Sequence, residues 1–154
     1  MQQENWVKTL LSVYERIDKV VYGIDKTFNK ICFGSFSYNS AGYRSTYEVS
    51  NKLIDLSERK ILLINTKLLI KKFLSSLGKK SRELLILRYI KRLKNEDIAS
   101  LKKCSIRTIS RKITECVTKC ANYLSFLGYD NNRLRKMYSG EQWILDNYYS
   151  NKKW

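Results

Sequence analysis

The side chains best suited to chemistry are basic and hydroxyl groups concentrated in a short stretch that starts at Ser105. Ser105 has the residue type of a helix N-cap, and Ile109 and Ile113 follow at helical spacing, so both isoleucines are predicted to face inward. The remaining side chains then form an outward surface, in which arginine suits guanine edges while lysine and hydroxyl groups suit phosphates. The candidate DNA-binding residues are Ser105, Arg107, Thr108, Ser110, Arg111, Lys112 and Thr114, with Lys94, Lys102 and Lys103 before them.

Neither catalysis nor metal binding is predicted. The chain has no histidine, so the usual general base is missing. Its sequence shows no glycine-rich phosphate loop and no acids paired beside a nucleophile in a known motif. Without histidine a zinc site would need all four thiols, and the cysteines lack zinc-type spacing. Cys32, Cys104, Cys116 and Cys120 are therefore interpreted as small apolar core residues, with no enzyme activity, metal or cofactor expected.

Three apolar segments with tight breaks must position this surface, and they predict a helix-turn-helix module over residues 79–120. The first helix is expected to start at an N-cap Ser81, after Gly78, which suits a helix C-terminus. The second starts at Lys94 or Asn95 and has acids in its first turn, where the helix dipole favours them. The inward residues are expected to be Ile98, Ala99 and Leu101 in the second helix, and Ile106, Ile109, Ile113, Cys116, Val117 and Cys120 in the third.

The chain from Arg82 to about Val117 resembles region 4 of the sigma-70 family. Its first 32 residues read RELLILRYIKRLKNEDIASLKKCSIRTISRKI. The resemblance lies in the LxLRY, NEDIA and SIRTISRKI parts. Lys103 departs from the glycine that these sequences usually have at the turn, so it must take a left-handed backbone at a cost of about 1 kcal/mol or form another turn. A helical region followed by such a module is similar to short late-transcription regulators of Gram-positive phages, of the ArpU and RinA type. This similarity implies DNA-binding control of transcription.

The first 78 residues are predicted to form a long helical hairpin. One helix is expected over residues 5–31, and another from a Ser45–Glu48 capping box to about Leu77, with residues 32–46 as an aromatic loop. The second helix has a wide apolar face that can complete the hairpin or serve as the seam of a homodimer. Its apolar residues are Val49, Leu53, Leu56, Leu63, Ile70, Leu74 and Leu77, and beside them Ile54, Ile61, Ile64 and Leu68.

The sequence thus predicts an all-α protein with three regions. These are the hairpin over residues 1–78, which is also a candidate oligomerisation region, the helix-turn-helix over 79–120, and a helical extension over 121–154 that ends in a short helix. Proline is absent and glycine is sparse, which favours long helices.

The charge predicts an acidic partner. The chain carries a formal net charge of +16, and residues 79–120 alone hold thirteen Lys or Arg against four Asp or Glu, a net +9. No apolar run is long enough to span a bilayer and the N-terminus lacks the features of a signal peptide, so we expect a cytoplasmic, nucleoid-associated protein with no membrane partner.

The expected partner is double-stranded DNA, and the favoured function is sequence-specific regulation of transcription. Two alternatives stay open at this point. One is a module that docks on RNA polymerase without reading DNA, and the other is a divergent minimal sigma factor.

Overall fold

A computed structural model describes residues 2–34 and 45–151 of the chain. Throughout these residues the chain is all-α, with no strand, which confirms the predicted fold class. Among the helices described, none combines the length and the hydropathy that a membrane crossing needs. The helices are α1 (Gln2–Gly34), α2 (Thr46–Ser75), α3 (Lys79–Leu85), α4 (Asn95–Lys102), α5 (Ile106–Phe126), α6 (Asn131–Met137) and α7 (Gln142–Asn151), and a π-helical segment (Ile86–Ile90) continues α3.

The chain divides into two compact units. The first holds the described residues within 1–15 and 69–154, and the second holds those within 16–68. The regions 1–78, 79–120 and 121–154 stay predictions as separate domains.

The core of the first unit joins the two ends of the chain. Trp6, Tyr138 and Tyr148 are fully buried, and the ring of Trp6 stacks on that of Tyr148 with centroids 4.3 Å apart. The Asn131 Oδ1 atom accepts hydrogen bonds from Trp6 Nε1 at 2.9 Å and from the Tyr148 hydroxyl at 3.0 Å. Because buried indole and phenol groups need such partners, this contact satisfies the polar atoms of an otherwise apolar cluster. The start of α1 is thereby fixed against α7, the short C-terminal helix expected from the sequence.

In the second unit, residues 16–68, α1 and α2 run antiparallel. Lys60 Nζ lies 2.5 Å from Asp25 Oδ1, and Lys67 forms a second ion pair with Asp18. One pair lies seven residues further along α1 and seven residues further back along α2, which is the register of a helical hairpin. Apolar side chains buried in this unit include Ile17, Ile24 and Leu63.

The predicted start of the second helix is confirmed in detail. The backbone N–H of Ser45 donates to Glu48 Oε2, and the N–H of Glu48 donates to Ser45 Oγ, both at 3.2 Å. These reciprocal bonds are the capping box that the sequence indicated. The loop predicted over 32–46 is shorter than expected, because residues 32–34 belong to α1 and residue 46 to α2, and its centre, 35–44, lies outside the described residues.

The predicted N-cap Ser81 is wrong. Helix α3 begins two residues earlier, at Lys79, with Gly78 as its N-cap. Gly78 has φ −62° and ψ 155°, so it is extended and does not supply the left-handed helix C-terminus expected of it. The Arg82 N–H closes the first turn on the Gly78 carbonyl at 3.0 Å, which lets the chain enter the helix before the hydroxyl residue is reached.

Candidate nucleic-acid interface

Helix α5 is the element against which both α3 and α4 pack. Its inward side chains Ile109, Ile113, Cys116 and Val117 are all buried, as their spacing predicts. From α4, Ile98 is fully buried and Ala99 is 5% exposed. Because alanine is small, α4 can cross α5 closely at this point. The packing therefore fixes which side of α5 faces away from the rest of the unit.

The turn between α4 and α5 consists of residues 103–105 and is tightly closed. Lys103 has the left-handed conformation, with φ 51° and ψ 45°. The Cys104 N–H donates to the Ala99 carbonyl at 3.0 Å, and the Lys103 N–H donates to the Ser100 carbonyl at 3.3 Å, which is the bonding of a Schellman motif. Lys103 therefore occupies the position that glycine usually takes, and of the two alternatives that the sequence left open it adopts the left-handed backbone.

Both helices of this pair have the predicted starts. Ser105 is the N-cap of α5, and its Oγ accepts from the Thr108 N–H at 3.2 Å. Lys94 is the N-cap of α4, and its N–H donates to Asp97 Oδ2 at 3.2 Å. Asn95 Nδ2 donates to Ser110 Oγ at 3.0 Å, so the start of α4 is tied directly to α5. Ser110 is thus partly engaged within the protein.

The outer face of α5 is exposed over its first turns. Arg107, Arg111 and Thr114 share one side of the helix, since they are separated by four and three residues. All three are exposed, and Thr114 Oγ1 donates to the Ser110 carbonyl at 3.1 Å. Lys112 is exposed further round the helix. The structure therefore brings these sequence-predicted residues to one continuous surface.

The same face changes character at Thr118, seven residues after Arg111. The Thr118 Oγ1 donates to Glu4 Oε1 at 2.6 Å, and Gln3 Nε2 donates to Ser125 Oγ at 3.3 Å. The N-terminus of α1 thus lies along the second half of α5. About ten residues, or roughly 15 Å of helix, remain open before this contact. Nothing in the local sequence of α5 indicated this limit.

Ion pairs engage two of the basic candidate residues, Lys102 and Arg111. Lys102 Nζ lies 2.7 Å from Glu83 Oε2, which uses the charge of one candidate residue to join α4 to α3. Arg111 Nε lies 3.6 Å from Glu115 Oε1, in an exposed pair one helical turn apart. An exposed pair of this kind stabilises the protein by only about 0–1 kcal/mol, so an anion that binds Arg111 more tightly can displace Glu115. Sequence spacing alone could have indicated only the second of these pairs.

The other basic candidates keep their charge available. Lys94, Lys103, Arg107 and Lys112 are exposed and form no ion pair with any residue that the structure describes. Arg92, which the sequence did not single out, is also exposed, and it has a left-handed φ of 57° in the turn before α4. Both non-glycine residues with positive φ in the described chain are therefore basic residues in the two turns that flank α4.

Two inward predictions are wrong. Leu101 is 64% exposed and Ile106 is 50% exposed. Leu101 lies in the last turn of α4, one residue before the helix ends at Lys102. Ile106 is the first residue of α5, so it follows the inward period but lies at the very end of the helix, and it is less covered than Ile109 and Ile113.

The cysteines divide into two groups. Cys116 and Cys120 are buried core residues as predicted, and burial together with the nearby Cys116 thiol raises the pKa of Cys120 to about 12. The core prediction is wrong for Cys104, which is exposed, because it lies in the turn after α4, and Cys32 is half-buried. In the described part of the chain, no group of three or more possible metal-ligating side chains comes together.

Searches of protein-family models, of curated proteins and of solved structures find no match to this chain.

Proposed function

We propose that the protein is a sequence-specific DNA-binding regulator of transcription, in which α4 and α5 form a helix-turn-helix and α5 is the recognition helix. The observation that carries this proposal is the exposed basic face of α5, which starts directly at its capped N-terminus. A recognition helix places its N-terminal residues against base edges in the major groove. In this proposal Arg107, the second residue of α5, binds a guanine edge through two hydrogen bonds.

The surrounding charge supports the same proposal. Lys94, Lys103 and Lys112 are exposed around the start of α5 and are suited to phosphates. Residues 79–120 carry a net charge of +9, so the phosphate contribution to affinity should be large and salt-dependent. The resemblance of this stretch to sigma-70 region 4 and to short phage regulators adds the class of process, control of transcription.

The test is selection of binding sites from a random duplex library by the full-length protein. We expect an enriched sequence whose affinity falls steeply with salt. The double variant Arg107→Ala with Arg111→Ala should lose the preference for that sequence. Lys19→Ala with Lys26→Ala is the matched control, since it removes the same charge from exposed positions of α1.

The proposal fails if the full-length protein enriches no sequence. It also fails if the double variant in α5 binds the enriched duplex as tightly as the control double variant in α1. In that case docking on RNA polymerase without DNA reading becomes the better account. Retention of core polymerase on the immobilised protein would then test it. Promoter-dependent transcription with this protein and core polymerase alone would instead identify a divergent sigma factor.

We also propose that two copies associate through the outer face of α2. Ile54, Ile61 and Leu68 are more than half exposed at strict seven-residue intervals, and Tyr47, one interval earlier, is 75% exposed. Ile64 lies beside them and is 41% exposed. This heptad spacing is typical of a helix–helix seam. A dimer would present two recognition helices, which suits half-sites about one helical turn apart, or a multiple of that distance.

Sedimentation of the full-length protein, free and on DNA, tests this association. We expect a dimer, and a monomer for Ile61→Glu. Lys52→Gln is the control, because it lowers the net charge equally from the opposite side of α2. A wild-type monomer in both conditions would reject the proposal, as would a dimer that Ile61→Glu leaves intact.

A further inference from the structure

Ile106 is exposed at the point where the proposed recognition helix begins. Half of its surface is open to solvent, although Ile109 and Ile113 on the same side of α5 are 1% and 6% exposed. A single exposed apolar residue is ordinary on a protein surface. The position of Ile106 is what distinguishes it, because it lies between the N-cap Ser105 and Arg107, in the first turn of α5.

The direction of this side chain follows from helix geometry. Every Cα–Cβ bond in an α-helix tilts towards the helix N-terminus, so the first residue projects its side chain past the helix end. If α5 enters a groove with its N-terminus leading, Ile106 approaches the bases beside those that Arg107 reaches. The major groove offers one apolar group to such a side chain, the C5-methyl of thymine.

We propose that Ile106 reads a thymine by packing against its C5-methyl group, next to the base pair read by Arg107. This inference rests on the proposed function. The charged surroundings favour DNA over an apolar protein surface as the occupant, because Lys103 and Arg107 on either side of Ile106 are both exposed. A protein partner would have to remove both charges from water, whereas DNA supplies a phosphate for Lys103, a guanine edge for Arg107 and a methyl group between them. The site bound by the protein therefore contains a thymine that is recognised through its methyl group.

The experiment replaces single thymines by deoxyuracil in the duplex enriched by the full-length protein. This exchange removes the methyl group and keeps the base pairing. We expect one position at which the wild-type protein binds the uracil duplex about threefold to fourfold more weakly, the effect of one buried methyl group. Ile106→Ala should bind both duplexes equally at that position. Alanine favours the helix, so the fold should be unchanged.

Leu101→Ala is the matched control, since it removes exposed apolar surface from the same module outside α5. It should keep the thymine preference of the wild-type protein. The inference is overturned if no thymine is sensitive to the exchange, if Ile106→Ala keeps the full preference, or if Leu101→Ala loses it equally. Each of these results leaves the proposed function intact when the duplex remains dependent on Arg107. A protein that enriches no sequence at all contradicts both.

Discussion

The two halves of α5 share one amphipathic pattern and meet different surroundings. Arg107 and Arg111, in the first half, face solvent. On the same side of the second half, Thr118 Oγ1 donates to Glu4 and Ser125 Oγ accepts from Gln3, at the start of α1. From Ile109 onwards, the inward side is buried along both halves. A single helix therefore serves as a proposed DNA-reading surface at one end and as a packing element at the other. The difference arises because the start of α1 contacts only the second half of α5.

The largest effect is expected from the packed half. Leu124 is fully buried, so Leu124→Ala should lower the free energy of unfolding by about 2–5 kcal/mol through lost burial and a residual cavity. Phe126, two residues later, is 83% exposed, and Phe126→Ala should change stability by no more than about 0.5 kcal/mol. Chemical denaturation measures both values. Equal losses would mean that the second half of α5 is packed on all sides.

The next effect concerns the open half. Arg107→Ala should weaken binding to the enriched duplex by about 1–3 kcal/mol and relax the preference at one base pair, while stability stays within about 0.5 kcal/mol. Titration of specific and scrambled duplexes measures the change. Asn122→Ala, an exposed change in the second half, should leave binding as it is. If Asn122→Ala weakens binding as much as Arg107→Ala, DNA contacts both halves of α5, and the two halves do not differ in function.

A substitution in the turn before α5 should raise the stability of the protein and lower its affinity for DNA. Lys103→Gly relieves a left-handed backbone, which should raise the free energy of unfolding by up to about 1 kcal/mol, and removes a charge suited to phosphate. Affinity for non-specific duplex DNA should therefore fall. Lys94→Gln serves as the control, because it removes a charge without changing a left-handed residue, so it should weaken binding and leave stability unchanged. A Lys103→Gly protein that binds DNA normally would show that this lysine makes no phosphate contact.

The smallest effect offers the closest comparison of the two halves. Lys112 and Lys119 are seven residues apart on one side of α5, and both are exposed. Lys112→Gln should weaken binding to all sequences similarly and lower the salt slope by about one unit, because one phosphate contact is lost. Lys119→Gln should leave the slope unchanged. Measurements across a salt series give both slopes, and equal slopes would extend the interface into the second half.

Local sequence determined the elements of this region well. The N-caps Lys94 and Ser105 and the inward period of Ile109 and Ile113 depend on residues no more than a few positions apart, so their types and spacing indicated them. For Lys103 the sequence left two alternatives open, a left-handed backbone or another turn. The predictions for Leu101 and Ile106 failed because burial depends on how far a neighbouring helix extends. Periodicity gives the direction of a side chain, and it does not show whether another element reaches it.

By itself, the sequence determined the all-α class, the concentration of positive charge in residues 79–120 and the basic face of α5, since composition and helical spacing are sufficient for each. Only the tertiary structure decided which of those charges remain available and where the open face ends. Glu83 pairs with Lys102 from a different helix, and Glu4 reaches Thr118 across more than a hundred residues of sequence. The first contact depends on how α3 and α4 pack, and the second on how the start of α1 packs against α5. No local pattern in the chain indicates either contact.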